Sequence, residues 1–126
     1  MIKTIAAAAA VASLVSGAAL AQTRGNWVLA PWHDGDYLFP GIVQSNVNGQ
    51  VRVRFDDGTT ETMAATRIEP FTWQRGSRVE CRWHNGARWY PGRIETISAN
   101  GANMHVRYND GDQEDTLTAR CRAPAR

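Results

Sequence analysis

The stretch WHNGARWYPGRI at residues 83–94 is a second copy of a line that occurs earlier in the chain, WHDGDYLFPGIV at residues 32–43. Both begin with Trp-His, both have glycine in the fourth position, and both place an aromatic residue before Pro-Gly at the same spacing. A short chain that repeats so specific a pattern predicts an internal duplication, in which two copies of one small structural unit follow each other.

The similarity extends outward from this line in both directions. RGNWVLAPWHDG from Arg24 aligns with RGSRVECRWHNG from Arg75, at an offset of 51 residues. Further on, VRVRFDDGTTE from Val51 aligns with MHVRYNDGDQE from Met104, at an offset of 53 residues. The second copy is therefore two residues longer between these blocks, and the extra residues belong near TISANG, where the first copy has SNVNG. An insertion of this kind predicts a surface turn.

Each copy has the pattern of a small β-protein. Apolar and polar residues alternate over 51–55 and again over 104–108, and this period of two predicts half-buried strands. Asp-Gly pairs follow directly at 57–58 and 110–111 and predict hairpin turns. Because proline cannot donate a ladder hydrogen bond, each Pro-Gly pair predicts a strand edge or a bulge. We therefore predict an all-β fold with two small, strongly bent barrels in tandem.

The N-terminal segment has the features of a secretory signal peptide. Lys3 precedes a run of Ala, Val, Leu and Ile, and Ala19-Leu20-Ala21 provides an A-x-A cleavage site. An uncleaved anchor is the alternative. We predict a signal peptide over 1–21 and export to the periplasm or the extracellular space. The remaining boundaries predicted from the repeat are a first barrel over 24–71, a linker over 72–74, a second barrel over 75–123 and a tail over 124–126.

The charge balance argues against a polyanion-binding protein as the main function. Residues 22–126 contain 13 arginines, no lysine and 12 acidic residues, a net charge of about +1. Polyanion binders usually carry a clustered basic face. We therefore do not expect nucleic acid as the partner, although contact through arginine-bearing strand faces stays open as a weaker alternative.

The two cysteines fall in the second copy. Cys81 lies in its first strand and Cys121 in its last, and their counterparts in the first copy are Ala30 and Ile68. In an exported protein, two cysteines at neighbouring inward positions predict a disulfide, which would stabilise so small a domain by roughly 4 kcal/mol. A redox or metal site is the alternative, but no C-x-x-C pattern is present.

The second copy, VECRWHNGARWYPGRIETISANGANMHVRYNDGDQEDTLTARCR, resembles a Tudor domain, including the Agenet-like branch of that superfamily. The first copy, from Trp27 to Phe71, fits the same pattern. The resemblance implies five-stranded, SH3-like barrels. It also implies that an aromatic cage at each barrel mouth holds a methylated lysine or arginine, because ring faces attract poorly hydrated cations.

When the cage positions of the Tudor pattern are transferred to this sequence one by one, the resemblance implies cage residues in both copies. They are Trp83, Tyr90, Tyr108 and Asp110 in the second copy, and Trp32, Phe39, Phe55 and Asp57 in the first. Phenylalanines make the first set more apolar, so we expect the second to be the better cage. Ordinary core packing of the same aromatics, with a Trp across the barrel mouth, is the alternative. Trp73 is interpreted as packing between the copies, and Trp89 as barrel surface or core.

No catalytic or metal-binding arrangement stands out. His33 and His84 occupy matched positions, but each has only Asp or Asn nearby, so we interpret them as exposed turn residues. We predict no enzyme, no metal and no cofactor. The predicted function is a binding module for a peptide or a methylated or cationic side chain. The alternative is a structural or cell-wall SH3-type module that binds an envelope polymer or peptide without a working cage.

Export and oxidation make a joint prediction about the mature chain. We expect protein recovered from the periplasm or medium to begin near Gln22, and its mass to rise by about two hydrogens on reduction, because one disulfide joins Cys81 to Cys121. Intact-mass spectrometry before and after reduction measures both quantities. Two free thiols in the exported protein would contradict the disulfide, and a retained Met1 would contradict cleavage.

Overall fold

The computed structural model describes residues 24–33 and 35–125, and the predicted signal peptide over 1–21 lies outside them. In this described part, the chain forms two five-stranded antiparallel sheets, one of them curled into a half-barrel, and no α-helix. The predicted all-β fold class is confirmed. Among these residues, no helix has the length and apolar character needed to span a membrane.

The first sheet is built from the first copy of the repeat. Its strands are β1 (Trp27–Pro31), β2 (Leu38–Val47), β3 (Gln50–Arg54), β4 (Thr60–Ala64) and β5 (Glu69–Pro70), in the spatial order β4-β3-β2-β1-β5. The second sheet repeats this plan with β6 (Arg78–Arg82), β7 (Trp89–Ile97), β8 (Asn103–Tyr108), β9 (Gln113–Leu117) and β10 (Cys121–Arg122), in the order β10-β6-β7-β8-β9. Short 3-10 turns cover Arg24–Asn26, Ala65–Arg67, Trp83–Asn85 and Thr118–Arg120. Each sheet contains strands of one copy only, so the duplication has produced two separate β-units.

The repeated Pro-Gly pair allows the long second strand of each copy to bend over its neighbour. A Cβ atom on Gly92 would lie 2.7 Å from the Arg107 carbonyl oxygen, and one on Gly41 would lie 3.1 Å from the Arg54 carbonyl oxygen. Only glycine permits so close an approach of two backbones. Each strand also shifts register a few residues later, between Val43 and Ser45 in β2 and at the equivalent point in β7. Such bulges increase the bend of a strand.

The turns follow the sequence chemistry. Asn48 and Gly49 both have positive φ and join β2 to β3 through a two-residue hairpin turn, whereas residues 98–102 join β7 to β8. The extra length in the second copy therefore lies at the turn that the repeat alignment indicated. Gly58 and Gly111 also have positive φ, in the hairpins after β3 and β8.

The predicted disulfide is present. Cys81 on β6 is directly opposite Cys121 on β10, with their Cα atoms 4.1 Å apart, and the bond closes the second unit from its first strand to its last. Ala30 and Ile68, the counterparts in the first copy, both pack in the core of the first unit. The same inward pair of positions is therefore filled by apolar contact in one copy and by a covalent bond in the other.

Each unit has its own apolar core, and the two cores differ in size. The first contains Ala30, Val51, Val53, Phe55 and Met63. The second contains Trp73, Val79, Cys81, Ile94, Met104, Val106, Tyr108 and Cys121, and it also includes Leu29 and Leu38 from the first copy. Side chains on the outer face of the first sheet therefore belong to the core cluster of the second unit.

The contact between the units extends beyond the linker. The Trp27 indole Nε1 donates to the backbone oxygen of Asn100 at 3.0 Å. The Ala123 amide donates to the Leu38 carbonyl at 2.9 Å. Trp73 is buried in the second core, as its interpretation as packing between the copies requires. These contacts join the two units over the outer face of β1 and β2 as well as along the chain connection.

The outer face of the first sheet is apolar where the second unit covers it, whereas the matching positions of the second sheet are polar. On the first sheet, Trp27 and Leu29 are buried. Their counterparts 51 positions later are Arg78 and Glu80, which are exposed and half-buried. The repeat has thus kept its inward positions apolar in both copies and its outward positions apolar only where the other unit covers them.

The contact between the two units should contribute to the stability of the whole chain. Replacing Leu29 with Ala should lower the free energy of unfolding by about 2–5 kcal/mol, because it leaves a cavity between the units. The matched control is Val47→Ala, since Val47 is 64% exposed and its truncation should change stability by about 0.5 kcal/mol or less. Urea denaturation of both variants measures the difference. Equal midpoints for the two variants would show that the units do not depend on each other.

Candidate functional site

Three aromatic rings of the second unit meet at one end of its sheet. Tyr108, the last residue of β8, is 4% exposed and forms the base of the cluster. The Trp83 ring stands edge-on to it at 5.5 Å between centroids, and the Tyr90 ring does so at 6.5 Å, with interplanar angles of 82° and 87°. Tyr90 is 41% exposed, so the cluster opens to solvent on that side. The structure brings together the three aromatic residues that the sequence assigned to a cage in this copy.

A carboxylate that the sequence analysis did not single out lies beneath this cluster. The Tyr108 hydroxyl donates to Glu114 Oε2 at 2.5 Å, and the backbone N–H of His84 donates to Glu114 Oε1 at 3.2 Å. Burial, and then the hydrogen bond to the Glu114 carboxylate, raise the pKa of Tyr108 well above its ordinary value of 10.0. Glu114 is directly opposite Val106 on β8 and shares the inward face with Thr116, so pairing β9 with the alternating strand over 104–108 is the signal that could have identified it.

The Trp-His pair forms the same strained turn in both copies. His33 and His84 have φ values of 53° and 51°, a left-handed conformation that is uncommon for residues other than glycine. The His84 ring stacks on Trp83 with 4.0 Å between centroids. In the first copy the His33 N–H donates to Glu61, the counterpart of Glu114. Both histidine side chains are exposed. In each copy, a glutamate of the fourth strand accepts the histidine N–H and so stabilises the turn that follows Trp32 or Trp83.

The two aspartates assigned to the cage rims stabilise hairpins. Asp57 Oδ1 accepts hydrogen bonds from the Thr59 hydroxyl at 2.6 Å and the Thr59 N–H at 2.9 Å, and these bonds lower the pKa of Asp57. Asp110 Oδ1 accepts from the Asp112 N–H at 3.0 Å. Such bonds across two residues are the usual role of aspartate in a turn. Each aspartate therefore has a structural role in the turn after β3 or β8, and the carboxylate that contacts the aromatic cluster is Glu114.

The aromatic residues of the first copy are arranged differently. Trp32 stands edge-on to Phe39 at 5.9 Å, while Phe55 is buried in the core. Phe39 also contacts Trp89 of the second unit, with 5.8 Å between ring centroids. Because Phe39 is the counterpart of Tyr90, the wall that is exposed in the second copy is covered by the other unit in the first. Phe55 also lacks the hydroxyl by which Tyr108 binds its glutamate.

Trp89 also takes part in a cation cluster between the units. The Arg122 guanidinium lies 3.5 Å from the Tyr37 ring centroid and 4.3 Å from that of Trp89, and its Nε donates to Glu80 at 2.8 Å. The Arg82 guanidinium lies 5.6 Å from the same Trp89 ring. Two aromatic faces from different copies thus hold one of the chain's own arginines. The Trp89 ring is therefore already in contact with the chain's own cations, whereas the Trp83 cluster has a ring, Tyr90, that is open to solvent.

Within residues 24–33 and 35–125, no group of three or more His, Cys, Asp or Glu side chains is placed to hold a metal ion. Comparison of the chain with known protein families and with curated proteins finds no match.

The buried phenol of Tyr108 makes a prediction about alkaline pH. Because its pKa is raised in the folded state, the neutral phenol contributes stability that is complete below the ordinary tyrosine pKa and is lost as pH rises above it. A difference titration near 295 nm, parent minus Tyr108→Phe, should show ionisation well above pH 10.0. Glu114→Gln should lower this pKa, because a neutral amide replaces the carboxylate.

Glu61→Gln is the matched control, since it changes the equivalent glutamate of the first copy and should leave the Tyr108 titration unchanged. An ordinary tyrosine pKa for Tyr108 in the parent protein would contradict the hydrogen bond to Glu114.

Proposed function

We propose that the protein is a non-enzymatic binding module of two Tudor-like barrels, and that the second barrel binds a cationic side chain at Trp83, Tyr90 and Tyr108. The observation that carries the proposal is the arrangement of two rings perpendicular to a buried third, with a carboxylate bonded to the third. An ammonium or guanidinium group on the open side would face two aromatic walls. Each wall attracts cations through its quadrupole, by about 0.5–2 kcal/mol depending on desolvation.

The Glu114 carboxylate supports the choice of a cation over a neutral ligand. As an anionic hydrogen-bond acceptor it makes the Tyr108 ring more electron-rich, and it places a negative charge at the hydroxyl end of that ring. Methylated lysine or arginine in an extended peptide is the ligand class that suits such walls, because methylation weakens hydration while the charge stays. The first barrel is the weaker candidate, since Trp89 covers Phe39 there.

Export is part of the same proposal. The Cys81–Cys121 disulfide supports an oxidising compartment, because structural disulfides persist there and are rare in the cytosol. The predicted signal peptide over 1–21 is consistent with it. The ligand we propose is accordingly a peptide or protein of the periplasm or the extracellular space.

A structural or cell-wall module is the second candidate function. Trp83 contacts Tyr108 directly at 5.5 Å, which is the arrangement expected of a Trp that packs across a barrel mouth. In that case the rings serve stability, and the barrels present a peptide or polymer surface elsewhere. The two functions differ in what happens when the exposed ring, Tyr90, is removed.

The test uses a trimethyllysine peptide and tetramethylammonium as probes, with Trp fluorescence and NMR indole signals as the readout. Tyr90→Ala should abolish binding with little change in melting temperature, because the ring is 41% exposed. Tyr90→Phe should bind nearly as the parent does, since it keeps the ring face. Trp83→Ala should also abolish binding.

The outcome favouring the structural function is equally specific. If the rings have only a structural function, neither probe shifts the Trp83 indole signal. In that case Trp83→Ala lowers the free energy of unfolding by roughly 3 kcal/mol or more, as truncation of core aromatics does. Binding that Tyr90→Ala leaves intact would place the ligand elsewhere and contradict the proposed site.

A further inference from the structure

The outer face of the second sheet carries three arginines in one row across its strands. Arg78 on β6 is directly opposite Arg93 on β7, and Arg93 is directly opposite Arg107 on β8. All three residues are exposed. Opposed side chains on neighbouring antiparallel strands are separated by about 5 Å at Cβ, so the row gathers three positive charges within about 10 Å.

Folding alone does not account for this row. Like charges directly opposite each other destabilise a sheet. Arg107 has a carboxylate partner, with its Nε 2.6 Å from Glu95 Oε2. Arg93 donates to the Gly76 carbonyl at 3.1 Å, and Arg78 forms no ion pair with any other described residue. The protein thus keeps a repulsive arrangement with one compensating carboxylate.

The duplication shows what the same positions do when they pack. The counterparts of Arg78 and Arg93 in the first copy are Trp27 and Ile42, which are directly opposite each other and buried. A basic residue at these positions is therefore not a requirement of the barrel. In the second copy the face that would dock another unit has become a row of cations.

A concave site lies beside the first two arginines of the row. A cavity of about 140 Å³ is lined by Arg78 and Arg93 together with Glu80, Pro91 and Asn109. Since one water takes about 30 Å³ of liquid volume, the cavity can hold a group the size of phosphate. Guanidinium groups bind phosphate oxygens in pairs of parallel hydrogen bonds.

We propose that this face binds a linear phosphodiester chain through its backbone, with one phosphate in the cavity between Arg78 and Arg93 and the next toward Arg107. A linear chain fits better than an anionic membrane because carboxylates border the row on both sides. Glu80 follows Arg78 by two residues on β6, and Glu95 follows Arg93 by two residues on β7. A broad anionic plane would meet these carboxylates, whereas a single chain can run along the row between them.

The test measures binding of the full chain to two labelled oligomers of about twelve phosphates, a length within the range of single-strand sites. One is oligothymidylate and the other an abasic phosphodiester of equal length. Both should bind with similar affinity. The logarithm of the binding constant should fall with the logarithm of salt concentration with a slope of about −1.4, because the two phosphates on the row contribute about 0.7 each.

Arg93→Gln should weaken binding about tenfold at low salt, since a charge-assisted hydrogen bond to phosphate is removed. The melting temperature of this variant should stay at or above that of the parent, because the repulsion between opposed arginines is reduced. Arg88→Gln is the matched control, because it removes the same charge from an exposed position outside the row. Three results would overturn the proposal: equal effects of the two substitutions, binding of oligothymidylate without the abasic chain, or binding to phosphatidylglycerol vesicles without either oligomer.

Discussion

The burial of the outer face of β1 and β2 against the second unit is the constraint on which the rest of the structure depends. A strand of a small barrel normally packs one face on the core and exposes the other face to solvent. Here Leu29 and Leu38 are covered on the face that points away from their own core. The first unit is therefore apolar on both sides at this place, and exposing that face to water would cost it the burial of these side chains. The second unit has Glu80 and Trp89 at the equivalent positions and carries its own disulfide.

This asymmetry explains how two copies of one sequence diverged. Positions that shape the backbone stayed the same, because both copies need them. Gly41 and Gly92 allow two strands to approach, and His33 and His84 adopt the same left-handed turn with a glutamate on their N–H groups. The repeated line is thus explained first by backbone geometry. Its aromatic positions share a place in the fold but differ in environment, because Phe39 is covered by the other unit whereas Tyr90 is exposed.

The sequence predicted those parts of the fold that depend on local chemistry. Alternation over 51–55 and 104–108 indicated the strands, and two cysteines in a chain expected to be exported indicated the disulfide between Cys81 and Cys121. The contact between the units was underestimated, since a linker is visible in the sequence whereas a covered outer face is not. In the candidate site, the three rings converge as the resemblance implied, but the carboxylate beside them is Glu114. Asp110 followed the family pattern in sequence, yet its side chain is engaged in the turn.

The docking of the units also decides which surfaces are left for ligands. Because Trp89 covers Phe39 and Arg122 lies between Tyr37 and Trp89, the aromatic surface of the first copy is largely occupied by the second. The second unit retains an open aromatic wall at Tyr90 and an uncovered outer face on β6–β8. A copy whose aromatic side chains are covered in this way has a supporting role, since its interactions hold the other unit in place. Tyr90, Arg78 and Arg93 of the second copy, which stand in place of Phe39, Trp27 and Ile42, accordingly lie on surfaces that the docking leaves exposed.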